Sequence, residues 1–217
     1  MFKGIIEGLG TIQHIRPSGK SMKMSLISDF DLDETKIGDS IAVNGVCLTA
    51  VQINGRQFDV DIAPETVSKT VFQYIKSNDR VNLERAMRLS DRIDGHLVSG
   101  HVDGLGKITD RKNQDNAIIV EITTQTDLSR YMIHKGSVAV DGISLTINRL
   151  EKDKFYLSII PHTAKLSTIG FKPVGQWVNL ETDMIGKYVE RLISPQKESS
   201  KPIKKGIDFE FLVKHGF

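Results

Sequence analysis

The sequence holds one cysteine and two glycine-flanked histidines whose side chains could take part in catalysis. Cys47 lies in a Val-Cys-Leu context, and the histidines lie in Gly95-His96-Leu97-Val98-Ser99-Gly100-His101. A cysteine attacks as its thiolate, and a histidine can move a proton near neutral pH. The neighbouring glycines allow a ligand to approach the backbone closely. A nucleophilic cysteine needs a lowered pKa and a neighbouring base, and the sequence shows neither. A cysteine between two aliphatic residues is more typical of a simple buried position.

Other kinds of catalytic site find little support in the sequence. The five-residue spacing of His96 and His101 does not place both on one face of a helix, and no third ligand of a suitable kind follows. We therefore predict no zinc site. The sequence lacks a phosphate-binding glycine loop with its lysine, a dinucleotide fingerprint and a Gly-x-Ser-x-Gly turn. Nucleotide-driven chemistry and ordinary acyl transfer are therefore disfavoured.

The charge distribution argues against nucleic acid and membranes as partners. The 217 residues carry 29 basic and 27 acidic side chains, a net charge of +2. Residues 194–217 hold five lysines and three acidic residues, so the body of the chain is neutral. A neutral body lacks the basic surface that phosphate backbones and anionic lipids require. We predict no nucleic-acid partner and no membrane partner.

Composition and cysteine usage indicate an ordinary globular protein of the cytoplasm. Hydrophobic residues make up 39% of the chain, and no apolar run approaches the length of a membrane span. Glu7 and His14 stand where a signal peptide would have its apolar run. A single cysteine excludes an internal disulfide and fits a reducing compartment. We therefore predict a cytoplasmic location.

The chain repeats itself at a nearly constant offset, which indicates a duplication. Three segments recur 97 residues later and one recurs 96 residues later, all in the same order. The matched pairs are 43–49 with 140–146, 64–66 with 161–163, 81–84 with 178–181, and Gly8-Leu9-Gly10 with Gly104-Leu105-Gly106. Each copy is the size of a small domain. We predict domains at 1–96 and 97–183.

Local patterns within each copy favour strands. Apolar residues alternate with polar ones at 22–26 and at 118–122, as in half-buried strands. Asn54-Gly55 between two such runs predicts a hairpin, and the Gly-Leu-Gly of each copy predicts a bulge or sharp bend in a first strand. Pro64 and Pro161 each predict the start of a short helix. The predicted fold class is all-β: two similar small antiparallel Greek-key-like β-barrels in tandem, followed by a C-terminal α-helix.

The predicted C-terminal helix spans 184–193 and carries an apolar stripe. The stripe consists of Met184, Ile185, Tyr188, Val189, Leu192 and Ile193. A helix this short is marginal by itself, so we expect the stripe to be buried against something. Pro195 ends the helix. Residues 194–217 are predicted to be a linker and tail, in which a small apolar cluster consists of Ile207, Phe209, Phe211 and Leu212.

Comparison of the two copies sorts the candidate residues. Identical positions could share the binding of a flat heterocycle, or they could simply hold strand and turn geometry. These pairs are Gly45/Gly142, Leu48/Leu145, Thr49/Thr146, Pro64/Pro161 and Thr66/Thr163. Positions that differ in polar chemistry could have asymmetric roles. These pairs are Cys47/Ser144, Ile5/His101, Asn44/Asp141 and Ala86/Asp183.

An ordered set of motifs across both copies resembles the riboflavin synthase family, whose chains contain two lumazine-binding repeats. The similarity extends from Met1 to about Ile193 and has one departure, Asp94 in place of the first glycine of a Gly-Gly-His. The motifs are Met1-Phe2-Lys3-Gly4-Ile5-Ile6-Glu7, Asn44-Gly45-Val46-Cys47-Leu48-Thr49, Pro64-Glu65-Thr66, Asn82-Leu83-Glu84-Arg85-Ala86, Gly95-His96-Leu97-Val98-Ser99-Gly100-His101-Val102-Asp103, Asp141-Gly142-Ile143-Ser144-Leu145-Thr146 and Pro161-His162-Thr163.

The resemblance implies a dismutation of two molecules of 6,7-dimethyl-8-ribityllumazine. A four-carbon unit passes from one molecule to the other, giving riboflavin and 5-amino-6-ribitylaminouracil, without a cofactor or a metal. It also implies a homotrimer held largely by the C-terminal helix, with each site between the N-terminal barrel of one subunit and the C-terminal barrel of its neighbour. An association with lumazine synthase is a further expectation.

The resemblance also assigns site residues. The implied catalytic residues are Phe2, Cys47, His101, Ser144 and Asp183. His101 and Asp183 would handle protons, and Cys47 and Ser144 would orient the ring or add to it. The implied substrate-binding residues are Gly4, Ile5, Ile6, Leu48, Thr49, Asp61, Ile62, Ala63, Pro64, Glu65, Thr66, Gly100, Val102, Lys135, Leu145, Thr146, Ser158, Ile159, Ile160, Pro161, His162 and Thr163.

Two alternatives have the same barrel. A lumazine protein would carry a lumazine or flavin without converting it, but such relatives tend to lose the Ser-Gly-His stretch and the acidic residue after Asn-Leu-Glu. This chain keeps both, as His101 and Asp183. A flavin-dependent reductase would need a separate nicotinamide-binding domain, for which the chain has no room. The enzyme is therefore favoured.

Overall fold

A computed structural model of the protein describes residues 1–193, Val213 and His215. The predicted linker and its apolar cluster at 207–212 lie outside the described residues, and so does Pro195. Two β-barrels occupy most of the described chain.

The first barrel is closed and antiparallel, with strand order β1-β2-β5-β4-β3-β6. A short helix, α1 (Pro64–Lys69), and a 3₁₀ turn (Val71–Gln73) connect its last two strands. The strands are β1 (Gly8–Ser18), β2 (Ser21–Ser28), β3 (Ser40–Val43), β4 (Val46–Asn54), β5 (Gln57–Ile62) and β6 (Arg80–Arg85).

The second barrel is closed in the same way. Its strand order, read from its first strand, is β7-β8-β11-β10-β9-β12, which matches the order in the first barrel. It contains α2 (Thr126–Ser129), α3 (Pro161–Leu166) and a second 3₁₀ turn (Thr168–Gly170). Its strands are β7 (Gly104–Gln114), β8 (Ala117–Thr124), β9 (Ser137–Val140), β10 (Ile143–Leu150), β11 (Lys154–Ile159) and β12 (Trp177–Thr182). The predicted fold class of two tandem barrels is confirmed.

Each barrel has its own apolar core, built by strand alternation. Met24 and Leu26 of β2 are buried in the first core, and Val120 and Ile122 of β8 are buried in the second. The alternation predicted for both strands is therefore confirmed. Pro64 and Pro161 stand in the first turns of α1 and α3, as predicted.

The predicted bulge at Gly-Leu-Gly is wrong in position. Gly8 and Gly10 pair regularly with β6, opposite Leu83 and Val81. The register of β1 against β2 shifts later, between Ile12 and His14. A Cβ atom on Gly10 would lie 2.6 Å from Leu83 Cδ1, so this glycine permits close packing rather than a bulge.

The hairpin at Asn54-Gly55 is confirmed, but its turn is displaced by one residue. Asn54 still pairs with Gln57, which leaves Gly55 and Arg56 as the two turn residues. Gly55 has a φ of 59°, while Arg56 is not among the positive-φ residues. Such a turn needs glycine only at its first central position, as in type II′.

The predicted C-terminal helix is present as α4 (Met184–Ile193). Ile185, Tyr188 and Leu192 of its apolar stripe are exposed in the single chain, Leu192 at 84%. The burial expected for this stripe therefore stays a prediction. None of the helices among the described residues is long and apolar enough to cross a membrane.

Candidate functional site

Two hairpin turns, one from each barrel, pack directly against each other. Asn44-Gly45 and Asp141-Gly142 all have positive φ, as a type I′ turn requires. A Cβ atom on Gly45 would lie 2.6 Å from the backbone nitrogen of Gly142. These glycines therefore hold the turn geometry and the contact between the barrels, which is the structural one of the two roles that the sequence left open for Gly45/Gly142.

Asn44 and Asp141 have the same structural role in spite of their different chemistry. The Oδ1 atom of each accepts a backbone N–H from the last strand of its own barrel at 2.8 Å, from Asn82 and Asn179 respectively. Both turn residues are buried. Asp141 also has an ion pair with Lys172. The shared contact is structural, and the asymmetry of the pair lies in the ion pair that only Asp141 makes with Lys172.

The first residues of each copy lie against the barrel of the other copy. The Gly4 carbonyl accepts the backbone N–H of Ser144 at 2.8 Å, and the Gly100 carbonyl accepts the backbone N–H of Cys47 at 2.9 Å. A Cβ atom on Gly4 would lie 2.7 Å from Ser144 Cβ, and one on Gly100 would lie 2.5 Å from Cys47 Cβ. Glycine is therefore required at both contacts.

The residues predicted to bind substrate in the first barrel lie at the start of β4, around the end of β5 and in the adjoining segments, a region that we call the Cys47 face. β4 and β5 are antiparallel, with Ala50 opposite Val60, so the start of β4 lies beside the end of β5. Leu48 and Ile62 point into the core, whereas Thr49 and Asp61 are exposed. The members of the Cys47 face are Cys47, Leu48, Thr49, Asp61, Ile62, Ala63, Pro64, Glu65, Thr66, Gly100 and Val102.

An equivalent set forms the Ser144 face of the second barrel. β10 and β11 are antiparallel, with Ile147 opposite Leu157. Ile159 is buried in the core, and Lys135 lies beside this face, where its backbone N–H reaches Ile147 O at 2.8 Å. The members are Ser144, Leu145, Thr146, Ser158, Ile159, Ile160, Pro161, His162, Thr163, Gly4, Ile5 and Ile6.

The predicted catalytic residues divide between the two faces. Cys47 is half-buried, and the fully buried Phe2 ring packs beside it. His101 is exposed and directly follows Gly100. Ser144 is half-buried on the other face. Asp183, half-buried, accepts the backbone N–H of Ile185 at 3.0 Å at the start of α4.

The contact of His96 with Ser144 is a functional feature that the sequence did not reveal. The Nδ1 atom of His96 lies 2.6 Å from the Oγ atom of Ser144 in a hydrogen bond, and its side chain is almost wholly buried. Burial lowers the pKa of His96, and the charge of Asp183 opposes that shift in part. Among the described residues, its Nε2 atom has no hydrogen-bond partner. No local sequence pattern links His96 to a serine 48 residues away.

Two further observations limit what the site contains. In the part of the chain that the structure describes, no group of three His, Cys, Asp or Glu side chains could hold a metal ion.

A separate cavity of about 490 Å³ has a charged lining that includes the ion pairs Arg85–Glu7 and Arg88–Glu34, and it contains none of the predicted site residues.

Comparisons with known proteins agree with the internal symmetry. The lumazine binding domain matches twice, at residues 3–86 and 99–183. Over the full length of both chains, this protein is 42% identical to riboflavin synthase from Actinobacillus pleuropneumoniae and 41% identical to riboflavin synthase from Bacillus subtilis. The chain belongs to the riboflavin synthase family. The expected family, and the expectation that the chain is an enzyme, are confirmed.

Solved structures share the riboflavin synthase fold described above. LumP complexed with 6,7-dimethyl-8-(1'-D-ribityl) lumazine superposes with a TM-score of 0.75, and LumP complexed with riboflavin with a TM-score of 0.77. Each match covers 84% of this chain and 99% of the LumP chain, at 24% sequence identity. At this identity the likeness shows a common fold.

Proposed function

We propose that this protein converts two molecules of 6,7-dimethyl-8-ribityllumazine into riboflavin and 5-amino-6-ribitylaminouracil. The observation that carries the proposal is the pair of equivalent faces around Cys47 and Ser144. Both have the same backbone contact with a glycine of the other copy, but they differ in their reactive groups. Donor and acceptor in this dismutation are the same compound, so two similar pockets with different reactive groups suit it. Full-length identity to riboflavin synthases supports the same reaction.

The chemistry needs one substrate ring to lose a proton from its 7-methyl group and the other ring to be primed by addition of a nucleophile. The four-carbon unit of the donor then joins the acceptor, and the atoms of two substrate molecules equal those of the two products. No oxidant or reductant is therefore required. Much of the acceleration comes from holding the two rings face to face.

The two faces supply different groups for these steps. The Cys47 face offers a thiol for orientation or addition, with His101 nearby for proton transfer. The Ser144 face offers a hydroxyl that is hydrogen-bonded to His96. The charge of Asp183 raises the pKa of His96 and so opposes part of the effect of burial. Because burial keeps the pKa of His96 low, the neutral imidazole fixes the Ser144 hydroxyl.

A complete site combines faces from two subunits in this proposal. The Cys47 face of one subunit meets the Ser144 face of its neighbour in a homotrimer, as the family resemblance implies. The exposed apolar residues of α4 support an oligomer, because among the described residues they form an apolar stripe that is open to solvent. The association with lumazine synthase, the domain bounds and the cytoplasmic location stay predictions.

The rival function is that of a lumazine or flavin carrier, which the LumP fold favours. An assay of the purified protein with the lumazine as its only reactant distinguishes the enzyme from the carrier. The enzyme forms riboflavin and the pyrimidine in equal amounts, whereas a carrier binds the lumazine tightly and leaves it unchanged. Binding without product would contradict the proposed dismutation.

A further inference from the structure

The Val-Asn-Leu-Glu segment that recurs in both copies ends in a buried carboxylate in each case. Glu84 of β6 is 2% exposed and Glu181 of β12 is 4% exposed. We propose that these glutamates are positioning residues that act crosswise. Glu84, in the first barrel, fixes the Ser144 face of the second barrel, and Glu181, in the second barrel, fixes the Cys47 face of the first.

Glu84 binds the backbone of the first residues of the chain. Its Oε1 atom accepts the N–H of Lys3 at 2.7 Å, and its Oε2 atom accepts the N–H of Gly4 at 3.0 Å. A buried carboxylate is costly unless its oxygens are paired, and backbone N–H groups pair them here. The segment at Lys3-Gly4 is therefore held to the first barrel by both oxygens of one side chain.

Glu181 makes the equivalent contacts in the second copy. Its Oε1 atom accepts the N–H of Ser99 at 2.6 Å and the Ser99 hydroxyl at 2.7 Å, and its Oε2 atom accepts the N–H of Gly100 at 3.0 Å. The same pairing of one carboxylate with two successive amides occurs twice, so it is a feature of the repeat.

Each held segment then contacts the opposite barrel. The carbonyl of Gly4 accepts the Ser144 N–H, and the carbonyl of Gly100 accepts the Cys47 N–H. Both glycines approach so closely that an added Cβ atom would overlap the reactive residue. A displacement of either segment therefore moves the backbone of Ser144 or Cys47 directly.

The asparagine of the same motif also crosses between the copies. Asn82 Nδ2 donates to the carbonyl of Asp141 at 2.9 Å, and Asn179 Nδ2 donates to the carbonyl of Asn44 at 2.8 Å. The duplicated motif thus contacts the opposite copy through asparagine and, by way of the glycine segment, through glutamate. Neither face is built from one barrel alone.

Replacement of either glutamate by glutamine keeps the shape and removes one acceptor. The side-chain NH₂ group of glutamine would then face a backbone N–H, donor against donor. Loss of one charge-assisted hydrogen bond increases local opening of the held segment by about tenfold. Glu84→Gln and Glu181→Gln serve as matched controls for each other.

The only cysteine of the chain provides a readout that needs no substrate. At a pH above the pKa of Glu84, we expect Glu181→Gln to raise the labelling rate of Cys47 by about tenfold and Glu84→Gln to change it by less than about twofold. In a Cys47→Ser background, a thiol introduced by Ser144→Cys should respond in the reverse way. General destabilisation would raise both rates together, and equal responses or no response would overturn the proposal.

Hydrogen exchange of the unmodified protein tests the same coupling if the variants do not fold. We expect the Ser144 amide to open together with those of Lys3 and Gly4, and the Cys47 amide with those of Ser99 and Gly100. Opening of Ser144 independently of Lys3 and Gly4 would overturn the proposal. The effect of this coupling on catalysis rests on the proposed function. If the two faces were coupled crosswise but the protein formed no riboflavin, the proposed function would be contradicted and the positioning role of the glutamates would stand.

Discussion

The Nδ1 atom of His96 lies 2.6 Å from the Oγ atom of Ser144 and joins a loop between the barrels to the start of β10. Because burial lowers the pKa of His96, the imidazole is neutral at neutral pH. Ser144 is therefore oriented by an uncharged partner.

Replacement of His96 by glutamine should lower the turnover rate by about tenfold or more, because Ser144 loses its oriented partner. The unmodified enzyme should also lose activity at pH values below the ordinary histidine pKa of 6.5, where His96 becomes protonated. The pH dependence of turnover in both proteins checks this. His14→Gln is the control, because the His14 side chain on β1 is exposed. An unchanged rate and profile in His96→Gln would exclude the role.

Replacement of Gly4 by alanine should both destabilise the protein and weaken substrate binding. Gly4 has a φ of 72°, and its added Cβ atom would lie 2.7 Å from Ser144 Cβ. Gly19 has a φ of 61° but nothing within 4 Å, so Gly19→Ala measures the backbone cost alone. We expect about 1 kcal/mol for Gly19→Ala and about 2 to 3 kcal/mol for Gly4→Ala in urea unfolding. Equal losses would show that the contact with Ser144 is unimportant.

The free energy of unfolding should depend on pH through the ionisation of Glu84. Burial raises the pKa of Glu84 from its ordinary value of 4.5 to about 7, while the backbone N–H groups that it binds lower it in part. The folded state thus holds the proton more tightly than the unfolded state. This contribution to stability is complete below pH 4.5 and is lost as the pH rises through about 7.

The free energy of unfolding of the unmodified protein, relative to Glu84→Gln, should therefore fall by about 3 kcal/mol across that range. Urea unfolding of both proteins at several pH values checks this. The charge of Glu7 also raises the pKa of Glu84, so its effect is part of the shift that this comparison measures. A difference that stays constant with pH would refute the shift in pKa.

The apolar stripe of α4 should control assembly. Leu192 is 84% exposed in the single chain, and Leu192→Asp would place a charge in the proposed subunit contact. We expect dissociation to monomers, measured by light scattering, with Arg191→Ala as a control on the same helix. A Leu192→Asp protein that kept the mass of the unmodified oligomer would contradict this role.

The duplication and the strands could be predicted from the sequence because both are local and periodic. Alternation around Met24 and Val120 requires only that one face of a strand is buried. The bounds of α4 followed from its helical apolar spacing in the same way. The bulge predicted at Gly10 was wrong because a glycine in a strand is typical of a bulge and of a close contact alike.

The site contacts could not be predicted, because they join segments that are distant along the chain. Nothing near His96 indicates Ser144, and nothing near Glu84 indicates that its partners are backbone N–H groups of Lys3 and Gly4. Identity of Glu84 and Glu181 in the two copies was the one available signal. It indicated a shared role, but the crosswise contacts required the fold.

The fate of the four-carbon unit tests the proposed dismutation most directly. The substrate would be labelled with carbon-13 at the two methyl groups and at the two ring carbons that bear them, and the purified protein would receive no other reactant. We predict riboflavin that carries the label of two substrate molecules, together with an equal amount of unlabelled 5-amino-6-ribitylaminouracil. Recovery of the labelled lumazine unchanged from a tight complex would contradict the proposed function.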